Sequence, residues 1–96
     1  MIIELQEEFT GIGEVRGFEF KQMAHSGAAY IYKVQDGDTV HYEVFKRKSN
    51  PICINFEKRE YSKTDKKESY PKSNAFGMWA WSVGSWDNAL IRFNNL

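Results

Sequence analysis

The sequence predicts an α+β domain, an antiparallel sheet of about five strands with one C-terminal helix packed on one face. Three observations predict it. Large residues recur at every second position in several short segments, turn-forming residues separate those segments, and the last dozen residues change to a helical period. With 96 residues, 42% of them hydrophobic and 16% aromatic, the chain fits a single domain over 1–96 that can offset the entropy of ordering.

In "EVRGFEFKQM" Phe18 and Phe20 stand two apart, and "AAYIYKV" and "TVHYEVF" alternate large residues. "ICINF" places Ile52, Ile54 and Phe56 opposite Cys53 and Asn55. Gly11 and Gly13, Ser26-Gly27 and Asn50-Pro51 punctuate these runs, and "QDGD" carries a tight hairpin at Asp36-Gly37 or, shifted by one, at Gly37-Asp38. Residues 58–74 are polar and lysine-rich with Pro71 near their end, and are expected to form a long basic loop. "FGMWAWSV" alternates again, with Trp79, Trp81 and Val83 on one side. After Gly84, Ser85 is a good N-cap, Asp87 suits the first turn, and Trp86, Ala89, Leu90 and Phe93 follow helical spacing to about Asn95.

An even-numbered hairpin turn keeps opposed residues on the same side. Ala29, Ile31, Val40, Tyr42 and Val44 then share the face expected under the helix, together with Ile52, Ile54, Phe56, Trp79 and Trp81. The other face carries Tyr30, Tyr32, Val34, Thr39, His41, Glu43 and Phe45, with Lys46 and Arg47 at its end. Aromatic rings with a few charges are what protein interfaces enrich, so Tyr30, Tyr32, His41, Glu43, Phe45 and Arg47 are the expected partner-binding residues. The alternative is that the 58–74 segment or a second copy of the chain folds over them.

Charge is unevenly distributed although the total is zero: eight acids oppose three bases over residues 1–45, and nine bases oppose four acids over 46–72. The halves can neutralise each other or offer a partner two faces of opposite sign. Lys63, Lys66 and Lys67 join the expected binding residues, and with Tyr61 and Tyr70 nearby the basic segment could follow a phosphate backbone. Glu57, Glu60, Asp65 and Glu68 interrupt that run, which weakens a nucleic-acid reading.

Catalytic signatures are weak. Cys53 and His41 form a conceivable nucleophile pair, but no third residue is marked to orient them. "HSG" at His25 lacks the flanking glycines of a nucleophile elbow, and "GIGEVRG" departs from the dinucleotide fingerprint. One cysteine and two separated histidines give no metal-ligand spacing, and no cofactor is expected. The single cysteine allows no internal disulfide, the acidic start does not resemble a signal peptide, and no stretch approaches the ~18–20 apolar residues of a membrane span. The expectation is a cytoplasmic protein that is not an enzyme.

"YEVFKRK" (42–48) followed by "YPKSNAFGMWAWSVGSWDNALIRFNNL" (70–96) resembles small uncharacterised proteins of bacteriophages and of mobile elements of gut bacteria. Those share a Tyr-Glu-Val-Phe strand, Tyr-Pro, an Ala-Phe-Gly-x-Trp-Ala-Trp strand and a short C-terminal helix. The likeness covers roughly the second half and, more loosely, "FTGIGEVRGFEF"; the lysine-rich stretch from Glu57 to Lys67 departs from it. No residue roles are carried over. What the resemblance implies is context: a protein in a bacterial host that binds and inhibits a host complex, such as a CRISPR-Cas or other defence nuclease. Single-stranded nucleic-acid binding is the alternative.

Overall fold

The structure, a computed structural model, describes residues 2–11, 16–55 and 57–96, and the side chains of these except at 53–55, 62 and 64. In chain order the elements are β1 (Ile2–Ile3), β2 (Glu8–Thr10), β3 (Glu19–His25), β4 (Ala29–Asp36), β5 (Thr39–Lys46), β6 (Ser49–Asn55), β7 (Glu60–Glu68), a single 3-10 turn (Ser73–Ala75), β8 (Ala80–Val83) and α1 (Trp86–Asn94). Five strands form an antiparallel sheet in the order β2-β3-β4-β5-β8, and α1 packs on β4, β5 and β8. A second sheet has the order β1-β7-β6, with β1 parallel to β7.

The β4–β5 hairpin fixes the two faces. Its last pair is Asp36↔Thr39, so the loop is Gly37-Asp38, the shifted form of the expected turn, and Gly37 takes a φ of 59° that a β-carbon disfavours. With a two-residue loop, Ile31 lies opposite Val44 and Tyr32 opposite Glu43, and the parity read from the sequence holds. In β3 an extra residue, Met23, is inserted between the pairs Gln22↔Tyr32 and Ala24↔Ile31. This bulge turns Phe20 and Gln22 to the aromatic side and Ala24 to the helix side.

On the helix side, Ile31, Val44 and Ala89 are buried, and Tyr42, Val83, Trp86, Leu90 and Phe93 pack around them. The helix starts where its chemistry says it should. The Ser85 hydroxyl accepts from the Asn88 amide at 3.3 Å, Asp87 lies in the first turn and Arg92 in the last. Ala89 is buried on this stripe, and Trp86, Leu90 and Phe93 partly so. This tertiary packing, worth up to about 1.5–3 kcal/mol for a fully buried large side chain, holds a helix of nine residues that is too short to be stable alone.

Three expectations need correction. β6 pairs with β7 in the second sheet, so Ile52 does not join the helix-side core; the side chain of Ile54 and all of Phe56 lie outside the described residues. Trp79 precedes β8 in a turn and packs on Phe45, across the sheet from α1, because strand parity ends where the strand does. Most of the 58–74 segment is a nine-residue strand, β7, not a loop. Every described side chain of β7 except Glu68 is exposed. A strand whose described side chains are nearly all exposed shows no apolar alternation to reveal it.

Candidate functional site

Tyr30, Tyr32 and Phe45, expected to grip a partner, are 1%, 0% and 0% exposed. They form a second core with Phe20, Val34, Ala75 and Ala80, closed by Leu5, Phe9, Tyr70, Phe76 and Trp79. Tyr70 is its hub. The ring lies 4.8 Å from Phe45, 5.2 Å from Phe20, 5.3 Å from Tyr32 and 5.5 Å from Phe9, in edge-on geometries that aromatic quadrupoles favour. The expected binding face is thus an interior one, covered by Leu5 near the start of the chain and by the irregular segment that begins at Tyr70. Burial and hydrogen bonding remove these three residues from any docking surface: the Tyr32 hydroxyl donates to the Gln6 carbonyl at 2.7 Å, and that of Tyr30 donates to the Glu68 carboxylate.

Arg47 is also consumed by the fold. Its Nε donates to Glu68 Oε2 at 2.7 Å, one Nη donates to the Ser26 carbonyl at 2.8 Å, and the other lies 3.3 Å from Glu4. The guanidinium stacks 4.6 Å from the Tyr30 ring centre. Glu68 is a buried carboxylate that sequence reasoning misses, because it sits in a run that reads as solvated. Burial alone would raise its pKa, but hydrogen bonds from Arg47, Tyr30 and the Leu5 amide reverse that and hold it below the usual carboxylate range. Burial, followed by the bond to Glu68, pushes the Tyr30 phenol well above its ordinary value.

His41 and Glu43 are half-buried at the margin of the aromatic core. Glu43 accepts from the Tyr70 hydroxyl at 2.6 Å through one oxygen, and the other lies 3.2 Å from His41 Nε2. Burial, and then the charge of Glu43, push the Tyr70 phenol far above its ordinary range. Both carboxylate oxygens are engaged by the protein itself, so Glu43 serves as an acceptor that lets a buried phenol find a partner. Cys53 stands on β6 and His41 on β5, in different sheets. Among the described residues no three His, Cys, Asp or Glu side chains gather as metal ligands, and no helix is long and apolar enough to cross a membrane.

Lys63, Lys66 and Lys67 are exposed on β7, beside Tyr61, which is 55% exposed. Asp65, Glu60 and Glu57 share that exposed ribbon. The structure does not bring these lysines onto one surface with the predicted sheet aromatics, which are interior.

The most exposed of the large apolar side chains among the described residues stand elsewhere, in the turn before β8 and on α1. Met78 and Ile91 are 76% and 61% exposed, and they line a groove between α1 and β8 with Trp81, Lys46, Arg92 and Leu96. Helix geometry explains Ile91, which falls outside the Trp86, Ala89, Leu90, Phe93 stripe and faces away from the core. An isoleucine off the stripe is the one signal by which the sequence could have marked this place. Met78 is set by a tight turn. Phe76 (φ −70°, ψ 129°) and Gly77 (φ 90°) are its central residues, and the Met78 amide donates to the Ala75 carbonyl at 3.0 Å, the pattern of a type II turn. Arg92 stacks 4.6 Å from the centre of the Trp81 ring.

No protein-family model matches this chain, and the comparisons with curated proteins and with solved structures gave no match either.

Proposed function

We propose that this chain is a non-enzymatic protein-binding protein that docks through the groove between α1 and β8. The observation that supports this reading is the pairing of two exposed apolar side chains, Met78 and Ile91, with a tryptophan and an arginine at one place. Methionine, tryptophan and arginine are enriched at interfaces and at their energetic centres, and an exposed apolar cluster costs solubility unless something covers it. The likeness of residues 42–48 and 70–96 to small phage proteins adds the target class: a host complex, a defence nuclease among the candidates, which the protein would inhibit by occupying it. The binding residues differ from those the sequence nominates, since Tyr30, Tyr32 and Phe45 are buried and Arg47 is engaged by Glu68, Ser26 and Glu4.

The test compares the protein with Ile91→Asp and Met78→Asp in capture from a nuclease-treated lysate of a bacterial host, followed by reconstitution of any complex from purified components. A reconstituted protein complex lost in both variants supports the reading. Retention of the complex by both variants would remove the groove from the function.

A second reading is favoured by the exposure of Lys63, Lys66, Lys67 and Tyr61 on one ribbon: single-stranded nucleic acid bound along β7. Affinity for an oligonucleotide would then fall steeply with salt and vanish on neutralising the three lysines.

A further inference from the structure

We infer that the groove between α1 and β8 takes an acidic, apolar-anchored segment of a partner protein, with carboxylates placed at Lys46 and Arg92 and an apolar side chain placed between Met78 and Ile91. This rests on the docking-surface reading above and names the chemistry of its occupant.

Charge carries the inference. The groove lining holds two cationic side chains, Lys46 and Arg92, and no acidic one. Among the described residues neither makes an ion pair, whereas the adjacent Arg47 is held by two carboxylates, Glu4 and Glu68. The fold therefore gives the half-buried Arg47 its carboxylates and leaves the two cations of the groove without one among the described residues. A carboxylate arriving there gains both as neighbours, and Arg92 is already stacked on Trp81, which pre-orders its donors and lowers the entropy lost on binding.

The same geometry argues against other occupants. A second copy docked groove to groove about a two-fold axis would bring the two cations of one groove, Lys46 and Arg92, against the two of the other, a like-charge arrangement that disfavours pairing. Addition of a partner strand to β8 is obstructed at Ala80, whose carbonyl already accepts from the Gly77 amide at 2.8 Å. Recognition is thus by side chains seated in the groove, not by extension of the sheet.

The experiment is an array of short random peptides probed with the labelled full chain, with Ile91→Asp, and with the double charge reversal Lys46→Glu/Arg92→Glu. All three substituted residues are solvent-facing or half-lining, and circular dichroism with a melting curve checks that each variant folds. Binders of the unaltered chain should be enriched in Asp and Glu alongside Leu, Phe or Trp. Charge reversal should weaken the best of them about tenfold or more and shift the preference toward Lys and Arg. Binders without acidic enrichment, or a preference unchanged by the reversal, would overturn the inference, as would an array with no binders or a protein that sediments as a dimer through this groove. Tighter binding of the chain to phosphatidylserine vesicles than to any peptide would also overturn it, since an anionic membrane offers the same charge. If Ile91→Asp leaves peptide binding intact, the docking surface itself is misplaced; if it abolishes binding while charge reversal changes nothing, the surface stands and only the acidic chemistry falls.

Discussion

The guanidinium Nε of Arg47 donates to the carboxylate of Glu68 across 2.7 Å, tying the residue that follows β5 to the last residue of β7. Through this bond, and the contacts of Glu68 with Tyr30 and the Leu5 amide, the two sheets and the start of the chain share one buried charge pair. A buried pair adds little net stability over an apolar replacement, but removing one partner strands the other.

Arg47→Ala is accordingly expected to cost about 3–5 kcal/mol, a large fraction of the ~5–15 kcal/mol of a typical domain. Glu68→Gln keeps the shape and an acceptor and should cost less. The double variant Arg47→Met/Glu68→Leu should recover much of the loss. Urea denaturation at neutral pH reads all three, and a double variant no more stable than Arg47→Ala would show that a stranded partner is not the source of the loss.

Acid stability follows from the depressed pKa of Glu68. A carboxyl whose folded pKa lies below its unfolded value of about 4.3 contributes stability that is fully present above that value and is lost as pH falls through the folded one. The melting temperature should therefore drop on acidification below about pH 4, and drop less steeply in Glu68→Gln. Parallel curves for the two proteins would assign the acid transition to other carboxylates.

The alkaline limb belongs to Tyr30 and Tyr70, whose phenols burial pushes upward. An acid with a raised folded pKa stabilises while both states are protonated, and that contribution disappears as pH rises past the unfolded value of about 10. Tyrosinate absorbance from these two rings should appear together with loss of near-ultraviolet circular dichroism. Tyr70→Phe should shift alkaline unfolding to higher pH while costing about 1–2 kcal/mol at neutrality, because Glu43 loses a donor. Tyr70→Ala, which opens a cavity among Phe9, Phe20, Tyr32 and Phe45, should cost about 3–5 kcal/mol.

What the sequence discloses is what periodicity records. Ile31 opposite Val44, the Gly37-Asp38 turn, and Trp86, Ala89, Leu90 and Phe93 on one stripe of a helix capped by Ser85 were all legible, since each follows from spacing and turn chemistry. The cover over Tyr30, Tyr32 and Phe45 was not, because Leu5, Tyr70 and Trp79 reach it from segments without a regular period. An alternating aromatic face looks the same whether a partner or the chain's own irregular segments close it. β7 is hidden for the opposite reason: its described side chains other than Glu68 are exposed, so no apolar alternation patterns it. The groove is hidden in sequence because Met78 and Ile91 come together only through a turn and a helix end.

The turn that sets Met78 depends on the backbone of Gly77. Gly77 holds a φ of 90°, and a β-carbon built there would meet nothing within 4 Å, so any cost of substitution is conformational and not steric crowding. Gly77→Ala should destabilise by about 1–2 kcal/mol, the penalty of a left-handed backbone for an L residue. The mirror-image residue reverses the sign. A D-alanine at position 77, introduced by chemical synthesis of the chain, is comfortable at positive φ and restricts the unfolded state, and should leave stability unchanged or raise it by about 0.4–1 kcal/mol. Urea denaturation of the two synthetic proteins decides the matter. A D-alanine variant as unstable as the L form would mean that Gly77 is needed for space, and that the turn presenting Met78 to the groove is built differently.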